Sequence, residues 1–181
     1  QASATMGGPH ASRVLARGTP AVRSRNGMVA SQHELASQIG VDIMRRGGNA
    51  VDAAIAVGLA LAVVYPEAGN IGGGGFMVVR TKAGEFHAID YREMAPGAAS
   101  RDMFVDKDGN LIEGEGSSTV GYRASGVPGT IAGFELAFKK YGSGKVTWRQ
   151  LVEPAQKLAR DGYILSDRLA RLFLSYKDTL E

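Results

Sequence analysis

The sequence predicts an α+β protein, helix-rich and with few strands. Three observations carry that reading. Five segments combine helical periodicity with start or stop signals, two short β-branched and aromatic runs are joined by Lys82-Ala83-Gly84, and one helix is apolar on nearly every side. A helix of that last kind belongs in the centre of a fold. A lone hairpin or three short strands cannot cover it, so the fold is expected to continue beyond these 181 residues.

Taken in order, residues 1–26 read as an irregular basic arm, and "GMVAS" from Gly27 as a short strand. Ser31-Gln32-His33-Glu34 has the form of a capping box, which predicts a helix over 32–46 with an apolar face of Leu35, Ile39 and Ile43. Gly47-Gly48 should stop it. Asn49 then caps the apolar helix, with Asp52 in its first turn, and Pro66 follows its end. "GFMVVRT" and "EFHAIDYR" form a hairpin, and a smaller hairpin is expected around "MFVDKDGNLI", turning at Asp108-Gly109. A helix with Ile131, Phe134, Ala137 and Phe138 begins near Pro128-Gly129 or Thr130 and ends at Tyr141-Gly142. Thr147 to Gln150 opens another, carrying Leu151, Leu158 and Ala159, with Pro154 either kinking it or marking its true start. Ser166 caps a final helix through Leu169, Leu172 and Phe173 that runs to Glu181.

Composition narrows the function classes. With 44% hydrophobic and 22% charged residues the chain supports a sizeable core and is not a disordered tail. The formal charge of +3 is unevenly placed, since the first 33 residues hold Arg13, Arg17, Arg23 and Arg25 and no acid. No aromatic residues interleave with these arginines, so an arm laid over its own domain is favoured over a nucleic-acid contact. The absence of cysteine removes disulfides, thiolate nucleophiles and cysteine-ligated zinc. The apolar run from Ala50 to Tyr65 contains Asp52 and is too short for a membrane span of about 20 residues. The start at Gln1, without an initiator Met, suggests a trimmed or exported protein.

Among the motifs, "NIGGGGFMVVRTKAGEFHAIDYREMAP" asks why four glycines precede a hairpin that delivers Arg92 into a proline loop. Phosphate binding fits poorly, because Gly72 to Gly75 lead into a strand and not into a helix. The plainer role is close packing, with left-handed backbone where the chain turns. Asp106, Asp108 and Asn110 miss the calcium-loop pattern, His10, His33 and His87 share no ligand spacing, and no Gly-x-Ser-x-Gly elbow is present. Asp90-Tyr91-Arg92-Glu93 is the densest polar group at a strand end. Arg92 presents a fork that matches a carboxylate bidentately; an ion pair with Asp90 or Glu93 is the competing reading.

The blocks "GGNAVDAAIAVGLALAVVYPEAGNIGGGGFMVVR", "AIDYREMAPGAASRDMF", "ASGVPGTIAGF" and "PAQKLARDGYILSD" closely resemble, in order, the front of gamma-glutamyltransferases, also called gamma-glutamyltranspeptidases or glutathione hydrolases. The resemblance implies a four-layer αββα N-terminal-nucleophile hydrolase, of which 27–181 is part of the larger subunit. It further implies self-cleavage into two subunits and a threonine nucleophile at the start of the smaller one, activated by its own amine. That threonine is expected outside this chain, leaving these residues inactive alone; neither Thr119 nor Thr130 matches it. The implied partners are the smaller subunit and γ-glutamyl substrates such as glutathione, with no cofactor, metal or nucleic acid. Arg92 matches the arginine that binds the γ-glutamyl α-carboxylate, and a periplasmic or secreted location is expected. Cephalosporin acylases and poly-γ-glutamate enzymes resemble the same scaffold, and a binding module that lost the catalytic half is the alternative of a different class.

Overall fold

The structure, a computed structural model, describes residues 22–180. Most of the basic arm therefore lies outside the described residues. Helix α1 (Glu34–Arg45) starts at His33, whose Nδ1 accepts the Leu35 N–H. Ser31, the residue the capping-box spacing singles out, sits two residues too early and bonds the His33 backbone and the Ser37 hydroxyl instead. The buried face is also rotated from the expected one: Ala36, Gly40 and Ile43 are buried, whereas Leu35 is exposed. Small residues win here because the neighbouring helix comes close. A Cβ on Gly40 would lie 2.7 Å from Val57 Cγ2. "GMVAS" forms no strand, since no described strand lies beside it, and Val29 packs on the α1–α2 interface.

Gly47 and Gly48 end α1 as expected, donating to the carbonyls of Met44 and Ile43, with Gly47 left-handed at φ 97°. The chain reverses at once into α2 (Ala50–Val64), where Asn49 and Asp52 cap one another in a complete capping box. Nine residues of α2 are buried, which makes it the centre of the fold. It packs against α1 on one side and against α4 (Trp148–Asp161) and α3 (Thr130–Tyr141) on others. Ile55, Ala56 and Ala60 are wholly inaccessible. Burying one branched side chain there contributes about 1.5–3 kcal/mol. Asp52 is equally buried; its Oδ2 accepts from the Asn49 and Ser143 N–H groups, tying the α2 start to the α3–α4 loop.

Strands β1 (Phe76–Arg80) and β2 (Phe86–Asp90) pair antiparallel in the register Phe76 to Asp90, with Gly84 left-handed in the connection. They form a two-stranded sheet, and its inner face reaches the core through Ile89, Met77 and Val79. The smaller hairpin exists as a single bridge between Val105 and Leu111. Its turn is held by Asp106, whose carboxylate accepts from the Asp108 and Asn110 N–H groups and lies below the usual aspartate range, chiefly because of the Asn110 bond.

Gly129 precedes α3, whose Phe134 and Ala137 are buried while Ile131 is exposed. The Thr147–Gln150 capping box opens α4 as expected, so Pro154 lies inside the helix and does not begin it. Its buried pair is Leu151 and Ala155, and Ala159 is exposed. Ser166 caps α5 (Asp167–Ser175), and Tyr176 interrupts the run before the short α6 (Lys177–Leu180). Arg168 of α5 pairs with Glu67 just beyond α2 and lies over the Tyr65 ring.

Candidate functional site

The site is built where β2 leaves the sheet. Pairing continues one step past the strands, with Tyr91 donating to Gly75 O at 3.0 Å and Gly75 donating to Tyr91 O at 3.3 Å. Tyr91 then anchors the exit. Its ring meets Phe134 edge-on with centroids 5.7 Å apart, and its hydroxyl donates to Phe76 O at 3.3 Å. Burial raises the Tyr91 hydroxyl above the ordinary tyrosine pKa, so it remains a protonated donor.

The glycine run makes room for this exit. A Cβ on Gly74 would lie 2.6 Å from Tyr91 O and 2.8 Å from Arg92 Cα, and one on Gly75 would lie 2.9 Å from the Tyr91 ring. None of Gly72 to Gly75 is left-handed, so the expected positive φ is absent; close approach explains Gly73, Gly74 and Gly75, while a Cβ on Gly72 would meet open space. On the other side Gly73 O accepts from the N–H groups of Gly129 and Thr130 at the start of α3. Asn70 completes the clamp: its Oδ1 accepts from Gly73 N at 3.0 Å and from the buried Thr130 hydroxyl at 2.7 Å. Beyond Arg92 the chain is fixed again by reciprocal bonds between Met94 and Val127.

Arg92 thus projects from a segment held at both ends. Its own N–H donates to Asp90 Oδ1 at 3.0 Å, and its guanidinium carbon lies 5.9 Å from the centre of the Phe76 ring. Among the described residues the guanidinium makes no ion pair, so the competing reading, a salt bridge to Asp90 or Glu93, is not what the structure contains. Asp90, Arg92 and Glu93 are all exposed. A permanent, planar cation on a fixed backbone can take a carboxylate with two parallel hydrogen bonds.

The other candidates fall elsewhere. His33 caps α1, and His87 stacks on Tyr141 with centroids 5.0 Å apart. No group of three metal-binding side chains converges among the described residues. Sequence reasoning singled out Arg92 as a candidate and gave no part in the site to Asn70, Tyr91 or Thr130, which hold its surroundings. The available signals were an asparagine two residues before a glycine run and Gly133 inside a helix, which marks close packing; here that packing is against the Tyr91 ring.

The family profile described as Gamma-glutamyltranspeptidase matches residues 36–181. The chain is 57% identical over 149 residues to a "Glutathione hydrolase proenzyme" of Escherichia coli (strain K12), covering 82% of this chain and 25% of that protein. It is 51% identical over 158 residues to a "Glutathione hydrolase proenzyme" of Pseudomonas sp. (strain A14), covering 87% and 27%. The crystal structure of Helicobacter pylori gamma-glutamyltranspeptidase superposes with a TM-score of 0.81 at 48% identity, over 88% of this chain and 44% of that one. The chain spans about a quarter of the length of these curated relatives.

Proposed function

The chain belongs to the gamma-glutamyltranspeptidase family, and from that premise we propose that in the complete protein it helps to cleave the γ-glutamyl amide of glutathione and related compounds. The γ-glutamyl group passes to water or to the amine of an amino acid or peptide. In this reading residues 27–181 belong to the larger subunit of a four-layer αββα N-terminal-nucleophile hydrolase, and the smaller subunit supplies a threonine nucleophile. The word "proenzyme" in the names of the relatives supports a processed precursor. The location proposed with it is periplasmic or secreted.

Arg92 is assigned to the α-carboxylate of the γ-glutamyl group. The observation that carries the assignment is the exposed guanidinium with no internal carboxylate partner, held on a segment fixed by Tyr91 and by the Met94–Val127 pair. Its contact is remote from the scissile γ-amide and is present equally before and during the chemistry. Such an interaction governs KM more than kcat.

In the complete, processed enzyme Arg92→Ala should weaken binding of γ-glutamyl anilide by about 2–5 kcal/mol, read as a raised KM with kcat nearly preserved. The same substitution should leave KM for 4-aminobutyryl anilide, which lacks the carboxylate, almost unchanged. An unchanged KM for the γ-glutamyl substrate would sink the assignment.

A further inference from the structure

We propose that Asp90 is a positioning residue for Arg92, a role that rests on the reading of Arg92 as the carboxylate-binding group. Asp90 is the last residue of β2 and stands opposite Phe76 in the ladder. Its Oδ1 takes the Arg92 N–H at 3.0 Å, closing a side-chain turn over Tyr91. An aspartate two residues from an arginine on an exposed loop has an obvious alternative, which is to neutralise it. The structure has no such pair: the guanidinium lies over Phe76, 5.9 Å from the ring centre, and no carboxylate of the described residues pairs with it.

The division of labour is physical. Asp90 holds the backbone of Arg92, Phe76 supports the head of its side chain on the π face, and the fork of N–H groups remains available to a substrate carboxylate. Holding a backbone N–H needs an acceptor oxygen and no charge. Asparagine has that oxygen at the same position, and alanine does not. The proposal therefore separates from two others that would use the same residue. An Asp90 that paired with the substrate ammonium would need its negative charge, and an Asp90 that merely stabilised the fold would alter the amount of folded enzyme and leave KM alone.

The test is steady-state kinetics on the complete processed enzyme with γ-glutamyl anilide, comparing Asp90→Ala, Asp90→Asn, Arg92→Ala and the double variant Asp90→Ala/Arg92→Ala. Asp90→Ala should raise KM about tenfold, the equivalent of one charge-assisted hydrogen bond, with kcat within about twofold. Asp90→Asn should recover most of that loss. The double variant should be no worse than Arg92→Ala, because a residue acting through another adds nothing once that other is gone. An unaltered KM in Asp90→Ala, or an Asp90→Asn as impaired as Asp90→Ala, overturns the proposal while a raised KM in Arg92→Ala leaves the Arg92 assignment standing. A normal KM in Arg92→Ala overturns both.

Discussion

The α2 neighbourhood and the hairpin are built from similar apolar side chains and end in opposite states. Around α2 the side chains of Ile43, Ile55, Val64 and Leu151 are at most 1% accessible. On the outer face of the hairpin Phe76, Val78 and Phe86 are 64%, 74% and 71% exposed. The helical layer closes on itself, whereas the sheet buries only the face carrying Met77, Val79 and Ile89. Arg92 emerges at the border between the two. Its backbone is anchored through Tyr91 to the closed side, and its side chain rests on Phe76 of the open side.

The largest expected effect lies in the closed region. Ile55→Ala should destabilise the protein by about 2–5 kcal/mol, since the side chain is wholly inaccessible and its removal opens a cavity, and denaturant unfolding would read it directly. A value below about 1 kcal/mol would mean that this core is loose. The open face sharpens the contrast. In the complete protein, where a second sheet is proposed to cover it, Val78→Ser should cost about 1–2 kcal/mol. A change within about 0.5 kcal/mol would place that face in water in the complete fold as well.

The smallest effect concerns His33, at the rim of the closed region. Burial lowers its pKa, with Glu34 partly opposing, and the cap needs a neutral Nδ1 to accept the Leu35 N–H. A depressed folded pKa gives stability that is complete above the unfolded value of about 6.5 and is lost as pH falls through the folded value. Thermal midpoints between pH 7 and pH 5.5 should therefore fall by about a degree more in the natural protein than in His33→Asn, which keeps an acceptor and does not titrate. Equal slopes would remove His33 from the acid response.

Where the sequence carried its own punctuation, the fold could be read from it. Gly47-Gly48, the Asn49–Asp52 and Thr147–Gln150 boxes, the Ser166 cap and the Lys82-Ala83-Gly84 turn are local devices, and each appears where it was expected. The misreadings at Ser31, Leu35 and "GMVAS" share a cause. Each depended on which neighbour would be close, and Ala36 and Gly40 are buried because they are small, a property that hydrophobic periodicity does not weigh. The site divides in the same way. Arg92 was legible as a residue type at a strand end, but the fate of its charge was not, because Asp90 binds a backbone N–H where a side-chain ion pair was equally allowed. Asn70 and Thr130 meet across 60 positions, a distance no short motif records.

The corner between α1 and α2 also has a place in time. Its stop and start signals lie in adjacent residues, Gly48 and Asn49, and the bonds that define it span only a few positions. As the chain is synthesised, this helical pair has everything its turn requires before the hairpin has been made. The same two capping residues later acquire distant partners, Asn49 donating to Tyr141 O across 92 positions and Asp52 accepting from Ser143 across 91. Closing loops of that length costs chain entropy that rises only logarithmically with size. The helix start whose caps are local is therefore also the hook onto which the last third of the chain is fastened.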